Sequence, residues 1–253
     1  MDPVKNKVDF SNLLPFVKTK ELLQRLTNLT SNNNLLSPES GSIRRNKYLN
    51  ECFKKWQDEW YSLLPSKASD STIQTSDDRE RAATNWLIQL FNTLFAAQKV
   101  VLVRSESEPE YFPAQNNEPA RIAFAHGFFA SALHEASHWC IAGDARRRLP
   151  DFGYWYAPDG RSVAQQQAFE RVEIKPQALE CLFTLACGRS FQVSQDNLFA
   201  TFDTSSSTFE NDVYRQVEEY IAKPHTLPRD AKVLLHALLT VCATGDANDG
   251  TWA

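Results

Sequence analysis

With 253 residues, the chain can bury a sizeable core, either as one large domain or as a domain with an appendage. A formal charge of −4, with no dense Lys/Arg stripe, leaves no footprint for nucleic acid. No apolar run approaches the roughly 18–20 residues that span a bilayer, and the polar start Met1-Asp2-Pro3-Val4-Lys5-Asn6-Lys7 does not read as a signal peptide. Cys52, Cys140, Cys181, Cys187 and Cys242 are odd in number, scattered and without zinc-knuckle spacing, so reduced thiols in a cytoplasmic protein are expected.

Helical periodicity runs through residues 13–29 and 44–64, with a loop marked by Asn32-Asn33-Asn34 between them. The second helix aligns Tyr48, Cys52, Phe53, Trp56 and Trp60 on one side. Such a stripe packs against a neighbouring core or serves as a docking surface for a protein partner. Residues 66–78 are rich in Ser, Thr and Asp and read as a linker. The expected organisation is therefore a helical N-terminal extension and linker over 1–78 and a catalytic domain over 79–253.

The second part opens with a helix over 79–97, whose Trp86, Leu87, Leu90, Phe91, Leu94 and Phe95 recur at helical spacing. Short strands are predicted over 99–104, 110–113 and 121–125. A helix around His134 follows, with Gly143 placed to end it and Arg146, Arg147 and Arg148 as a solvated cluster beyond. Residues 152–156 are a fourth strand candidate, closed by the turn Pro158-Asp159-Gly160. Three helices complete the chain: 163–187 with a break near Pro176, 208–222 with a Ser207/Glu210 capping box, and 228–243. The fold class is α+β, helix-rich, with a small sheet.

His134-Glu135-Ala136-Ser137-His138 is an HExxH motif and uses two of only five histidines. At helical positions i and i+4 both imidazoles reach one ion. Glu135 stands about 100° around the helix from His134, beside such an ion rather than facing it, and suits a proton-handling role. The third ligand must come from elsewhere. Residues 169–180 offer Glu170, Glu173 and Glu180; Glu173, between apolar Val172 and Ile174, is the one expected to turn inward and require a cation. Glu170 and Glu180 are expected on a solvated face. His126, eight residues before His134, is a candidate supporting partner. The motif alone leaves zinc and non-haem iron chemistry both open.

Several ordered segments carry a resemblance to the bacterial elongation factor P hydroxylase family. They are Ile122-Ala123-Phe124-Ala125-His126-Gly127-Phe128, the run from His134-Glu135 to His138-Trp139-Cys140-Ile141-Ala142-Gly143, and Asp151-Phe152-Gly153-Tyr154-Trp155-Tyr156. Pro158-Asp159-Gly160-Arg161, Val172-Glu173-Ile174-Lys175-Pro176-Gln177-Ala178-Leu179 and Ser194-Gln195-Asp196-Asn197-Leu198 continue it. The resemblance implies hydroxylation of the β-lysylated lysine of elongation factor P. It also implies Fe(II) held by His134, His138 and Glu173, with O2 as co-substrate and the electron donor left open. Ala157 stands where the family often has cysteine, which argues against a thiolate ligand there, and the N-terminal segment is absent from shorter members.

A β-lysylated lysine is a long alkyl chain with cationic amino groups, so aromatic walls and carboxylates suit it. Asp151, Tyr154, Tyr156 and Asp159 are the candidates; their alternative reading is a strand with alternating aromatics and an ordinary turn aspartate. A monomer is expected. The sequence leaves two other functions open: an HExxH zinc metallopeptidase, and a non-catalytic metal-stabilised module that binds elongation factor P.

Overall fold

The computed structural model describes residues 8–32, 42–64, 75–154, 160–197 and 207–242. A 3-10 turn, Phe10–Leu13, leads into α1 (Phe16–Asn32) and α2 (Ser42–Leu63). Then come α3 (Ser76–Leu94), β1 (Val100–Ser105), β2 (Glu110–Phe112), β3 (Ala120–Ala125) and α4 (Phe129–Arg146). The chain continues through α5 (Val163–Ala186), α6 (Phe209–Ala222) and α7 (Arg229–Cys242). This is the expected α+β, helix-rich class with a small sheet.

The sheet has the order β1-β3-β2: β3 is parallel to β1, with Val100 opposite Ala120, and antiparallel to β2, with Tyr111 opposite Ile122. As the middle strand β3 is covered on both faces, which explains its nearly unbroken apolar run Ile122-Ala123-Phe124-Ala125. The chain then turns sharply into α4 through His126 (φ 57°) and Gly127 (φ 71°). A Cβ on Gly127 would lie 3.3 Å from Arg104 Nε, so conformation and space both favour glycine.

Helix α4 packs between α3, β3 and α5, and α5 packs in turn on α6 and α7. Trp139 of α4 is wedged edge-on between Phe91 of α3 and Phe95 just past its end, at centroid distances of 5.4 and 4.8 Å. Each ring pair of this kind adds about 0.5–1.5 kcal/mol beyond the area it buries. On α7, Leu234, Leu235, Ala237, Leu238 and Leu239 are all fully buried, because α1 and α2 cover what α4 and α5 do not. Trp56 and Trp60 of the α2 stripe are core residues, and Trp86 Nε1–H donates to the Trp56 carbonyl at 3.0 Å. Tyr48, at the start of that stripe, is exposed.

Four local expectations are corrected. Pro176 does not break α5, which runs through it; the carbonyl it leaves without a helical donor belongs to Val172, on the exposed side where water can replace the lost N–H. Residues Pro150–Gly153 form a 3-10 turn and not a strand, with positive φ at Asp151, Phe152 and Gly153. Contacts with β2 hold that turn: Phe152 stacks on Tyr111 at 4.1 Å, and Asp151 Oδ1 accepts the Tyr111 N–H at 2.9 Å. The rest of that candidate strand, 155–156, and positions 158–159 of the turn expected to close it lie outside the described residues.

Ser207 and Glu210 form no capping box; Ser207 Oγ accepts the Phe209 N–H and donates to Glu170 Oε2 at 2.8 Å, tying α6 to α5 instead. The capping box is at the start of α5, between Ser162 and Gln165. Arg147 is not solvated, since its side chain is only 11% exposed and its guanidinium lies over the Trp139 ring at 3.6 Å.

Candidate metal centre

The site is built where α4 and α5 face each other. One turn apart on α4, His134 and His138 direct their Nε2 atoms to within 3.0 Å of one another. From α5, Glu173 brings Oε1 to 3.2 Å from His138 Nε2 and Oε2 to 3.7 Å from His134 Nε2. One ligand atom from each of the three residues lies within 4.8 Å of the others, as a shared cation requires. Glu173 is 4% exposed, and its Oε2 is buried without a hydrogen-bond partner. A buried carboxylate oxygen in that position costs free energy unless a cation or donor meets it. The chemistry of the three donors therefore fits a metal ion.

The electrostatics agree with the geometry. Burial raises the Glu173 carboxyl, but the facing His138 and His134 outweigh it and bring it down to about 2. Burial pulls His134 down, whereas the hydrogen bond to Glu180 and the charges of Glu180, Glu173 and Glu135 raise it to about 10. Glu135, partly buried beside the cluster, has its carboxyl raised, chiefly by burial, against the lowering effect of His134 and His138. Carboxylates and imidazoles this close call for positive charge among them, which a divalent cation supplies.

Sequence reasoning placed Glu180 on a solvated face. Its side chain is in fact only 13% exposed, and Oε2 lies 2.8 Å from His134 Nδ1. A signal for this existed: Glu173, Gln177 and Glu180 follow an i, i+4, i+7 spacing and share one helix face. Glu170 is occupied away from the cluster by Gln166 and Ser207.

Glu80 was not singled out from sequence. Its Oε1 accepts the Phe129 N–H at 2.8 Å at the start of α4, while Oε2 pairs with Arg189 at 2.7 Å. A carboxylate at a helix N-terminus satisfies an orphan donor and complements the dipole, so Glu80 helps set where α4 begins.

The other candidates fall at separate places. His126 is exposed in the β3–α4 turn, its ring 6.3 Å from that of Phe128, and is not among the three converging residues. Asp151 is exposed, with its carboxylate engaged by the Tyr111 N–H. The Tyr154 ring lies under the Arg146 guanidinium at 3.6 Å. Tyr156 and Asp159 lie outside the described residues. Arg161, just beyond them, is buried; it pairs with Asp196 at 3.0 Å and lies 3.9 Å over Phe169. That contact joins two of the segments that carried the family resemblance.

Fold and site together define a helix-rich α+β protein with a two-histidine, one-carboxylate cluster of the kind that binds metal ions. The sequence profile of the family described as Elongation factor P hydroxylase matches residues 90–249. A protein of Haemophilus influenzae named Elongation factor P lysine hydroxylase is 44% identical over 162 residues, which cover 63% of this chain and 89% of that protein. The chain belongs to the elongation factor P hydroxylase family. The profile match begins inside α3, so α1 and α2 precede it.

Proposed function

We propose that this protein hydroxylates the β-lysylated lysine side chain of elongation factor P, using Fe(II) held by His134, His138 and Glu173 and O2 as co-substrate. The observation that carries this reading is the convergence of two imidazole nitrogens and one buried, otherwise unpartnered carboxylate oxygen. Two histidines and one carboxylate on one side of an ion suit non-haem iron and leave positions open for small ligands. Iron bound there supplies the activation of dioxygen and the insertion of one oxygen atom into a carbon–hydrogen bond.

The chain's own residues supply position and proton control. Glu173 brings its negative charge from α5, and burial keeps water from competing for it. Helices α4 and α5 pack directly against each other, so the imidazoles keep their directions. Glu135, whose carboxyl is raised by burial, holds or releases a proton at its oxygens next to the cluster. For the substrate, the cationic amino groups suit aromatic faces and carboxylates, and Asp151, Tyr154, Tyr156 and Asp159 bring these together in one short segment, although Asp151 already accepts the Tyr111 N–H and one face of Tyr154 already holds Arg146. The protein acts as a monomer in the cytoplasm, where its five free cysteines stay reduced.

The test is the intact mass of β-lysylated elongation factor P after anaerobic Fe(II) loading of this protein, addition of a reductant, and then air. The expected result is a gain of about 16 Da that His134→Ala abolishes, as an open iron site requires. No gain, together with zinc-dependent cleavage of the substrate, would replace the hydroxylase with a metallopeptidase.

A further inference from the structure

We infer that Glu180 is a positioning residue for the metal centre: it fixes the tautomer and direction of His134 and is not itself a ligand. This rests on the metal-site reading above. His134 shows its two ring nitrogens to two different neighbourhoods. Nε2 faces the cluster, 3.0 Å from His138 Nε2, whereas Nδ1 faces Glu180 Oε2 at 2.8 Å. The ring nitrogens diverge, so a carboxylate hydrogen-bonded to Nδ1 is on the wrong side of the ring to share an ion with Nε2. A carboxylate accepts only, so Nδ1 keeps its proton, and with a metal bound Nε2 is the nitrogen that gives its lone pair to the ion.

The arrangement is asymmetric. His138 meets Glu173 through Nε2, and among the described residues no carboxylate stands behind its Nδ1. One histidine is thus held by the ligand carboxylate and by helix packing, the other by a dedicated partner. Both carboxylates come from one face of α5, two turns apart, and Pro176 lies between them without interrupting the helix. That uninterrupted turn lets Glu173 approach the cluster while Glu180 reaches the outer edge of His134. A carboxylate behind a metal-bound imidazole orients the ring and raises its basicity; its loss costs about 10–100-fold in metal affinity.

The experiment uses the full chain with Glu180→Ala, Glu180→Gln, Glu173→Gln, His134→Ala and a control on the same helix, Glu170→Gln. Dissociation constants are measured by chelator competition, for Fe(II) anaerobically and for Zn(II) in air. The His134 Nδ1 proton is followed by nitrogen-15 NMR of the zinc-loaded protein, and circular dichroism monitors folding. Glu180→Ala is expected to weaken both metals by about 10–100-fold and to lose the slowly exchanging Nδ1 proton, with Glu170→Gln unchanged. Glu180→Gln should fall between, because its carbonyl still accepts but without charge; it carries the test if Glu180→Ala fails to fold. Unchanged affinity and Nδ1 proton in both variants, with His134→Ala abolishing binding, would overturn the positioning role and leave the metal site standing. A loss in Glu180→Gln as complete as in Glu173→Gln would make Glu180 a ligand and also overturn it. Absence of binding by the wild type would remove the metal reading itself, and this inference with it.

Discussion

Replacing Asp230 with alanine tests what holds the C-terminal end of α4. Asp230 is 4% exposed, and its carboxylate accepts from Arg147 at 2.6 Å, from Arg229 at 3.0 Å and from Gln98 at 3.0 Å. Arg229 is 51% exposed and can turn to water, so its share is small. Arg147 is different: its side chain is 11% exposed, and its backbone carbonyl also accepts the Tyr111 hydroxyl. Deleting Asp230 strands that guanidinium with only the Trp139 ring, the Trp139 carbonyl, the edge of Gln98 and the distant, exposed Asp144 at 3.9 Å. Breaking a buried pair from one side costs about 3–5 kcal/mol; the remaining contacts of Arg147 place the loss near the lower end, about 3 kcal/mol.

At roughly 2–4 °C per kcal/mol for a chain of this size, the melting temperature should fall by about 6–12 °C. Urea unfolding followed by tryptophan fluorescence gives the free energy, and an unchanged m-value confirms that the unfolding reaction is the same. The double variant Asp230→Ala/Arg147→Met should recover more than half of the loss, because removing both charges leaves nothing uncompensated. A loss below about 1 kcal/mol, the range of surface pairs, would refute the claim that this pair is desolvated and anchors α4.

Leu26 of α1 is fully buried in the shared core, so Leu26→Ala should cost about 2–5 kcal/mol in urea unfolding; a cost near zero would mean that the N-terminal helices rest on the catalytic part without contributing to it. His236 of α7 lies 3.1 Å from Thr27 of α1, and burial lowers its pKa below 6.5. The unfolded chain therefore takes up the proton first, so the contribution of His236 is complete above pH 6.5 and is lost as pH falls toward the folded value. Thermal midpoints measured downward from pH 8 should decline below this point, and His236→Gln should flatten that decline; an identical slope in both proteins would count against it. Asp230 adds a second, more acidic loss. Burial raises its carboxyl, but Arg229, Arg147 and Gln98 hold it below 3.8, so its stabilisation is present above that pH and disappears as the pH falls further.

The two converging histidines were legible because a helix has a fixed period: HExxH on an apolar helix puts both imidazoles on one face whatever surrounds it. Glu173 was legible for a weaker reason, its place between Val172 and Ile174, which draws a carboxylate inward. Glu180 was misjudged, although it lies on the same face, because nothing local says which partner a second carboxylate will meet. Asp151 and Phe152 show the same limit. Their alternation with aromatics reads as strand, yet stacking on Tyr111 and a bond to its N–H hold them in a turn with positive φ.

What the sequence by itself determined is what rests on neighbours along the chain: the three short strands, the helices through their apolar spacing, α4 with its two histidines on one face, and membership of the family through ordered motifs. What only the tertiary structure decided is what rests on meetings across it. Glu180 comes to stand behind His134, Glu80 over the start of α4, Asp230 against Arg147, and α1 and α2 over α7. Periodicity comes from backbone geometry and is written locally. A buried charge takes its partner from whichever element the packing brings within reach, and that choice is made only when the chain has folded.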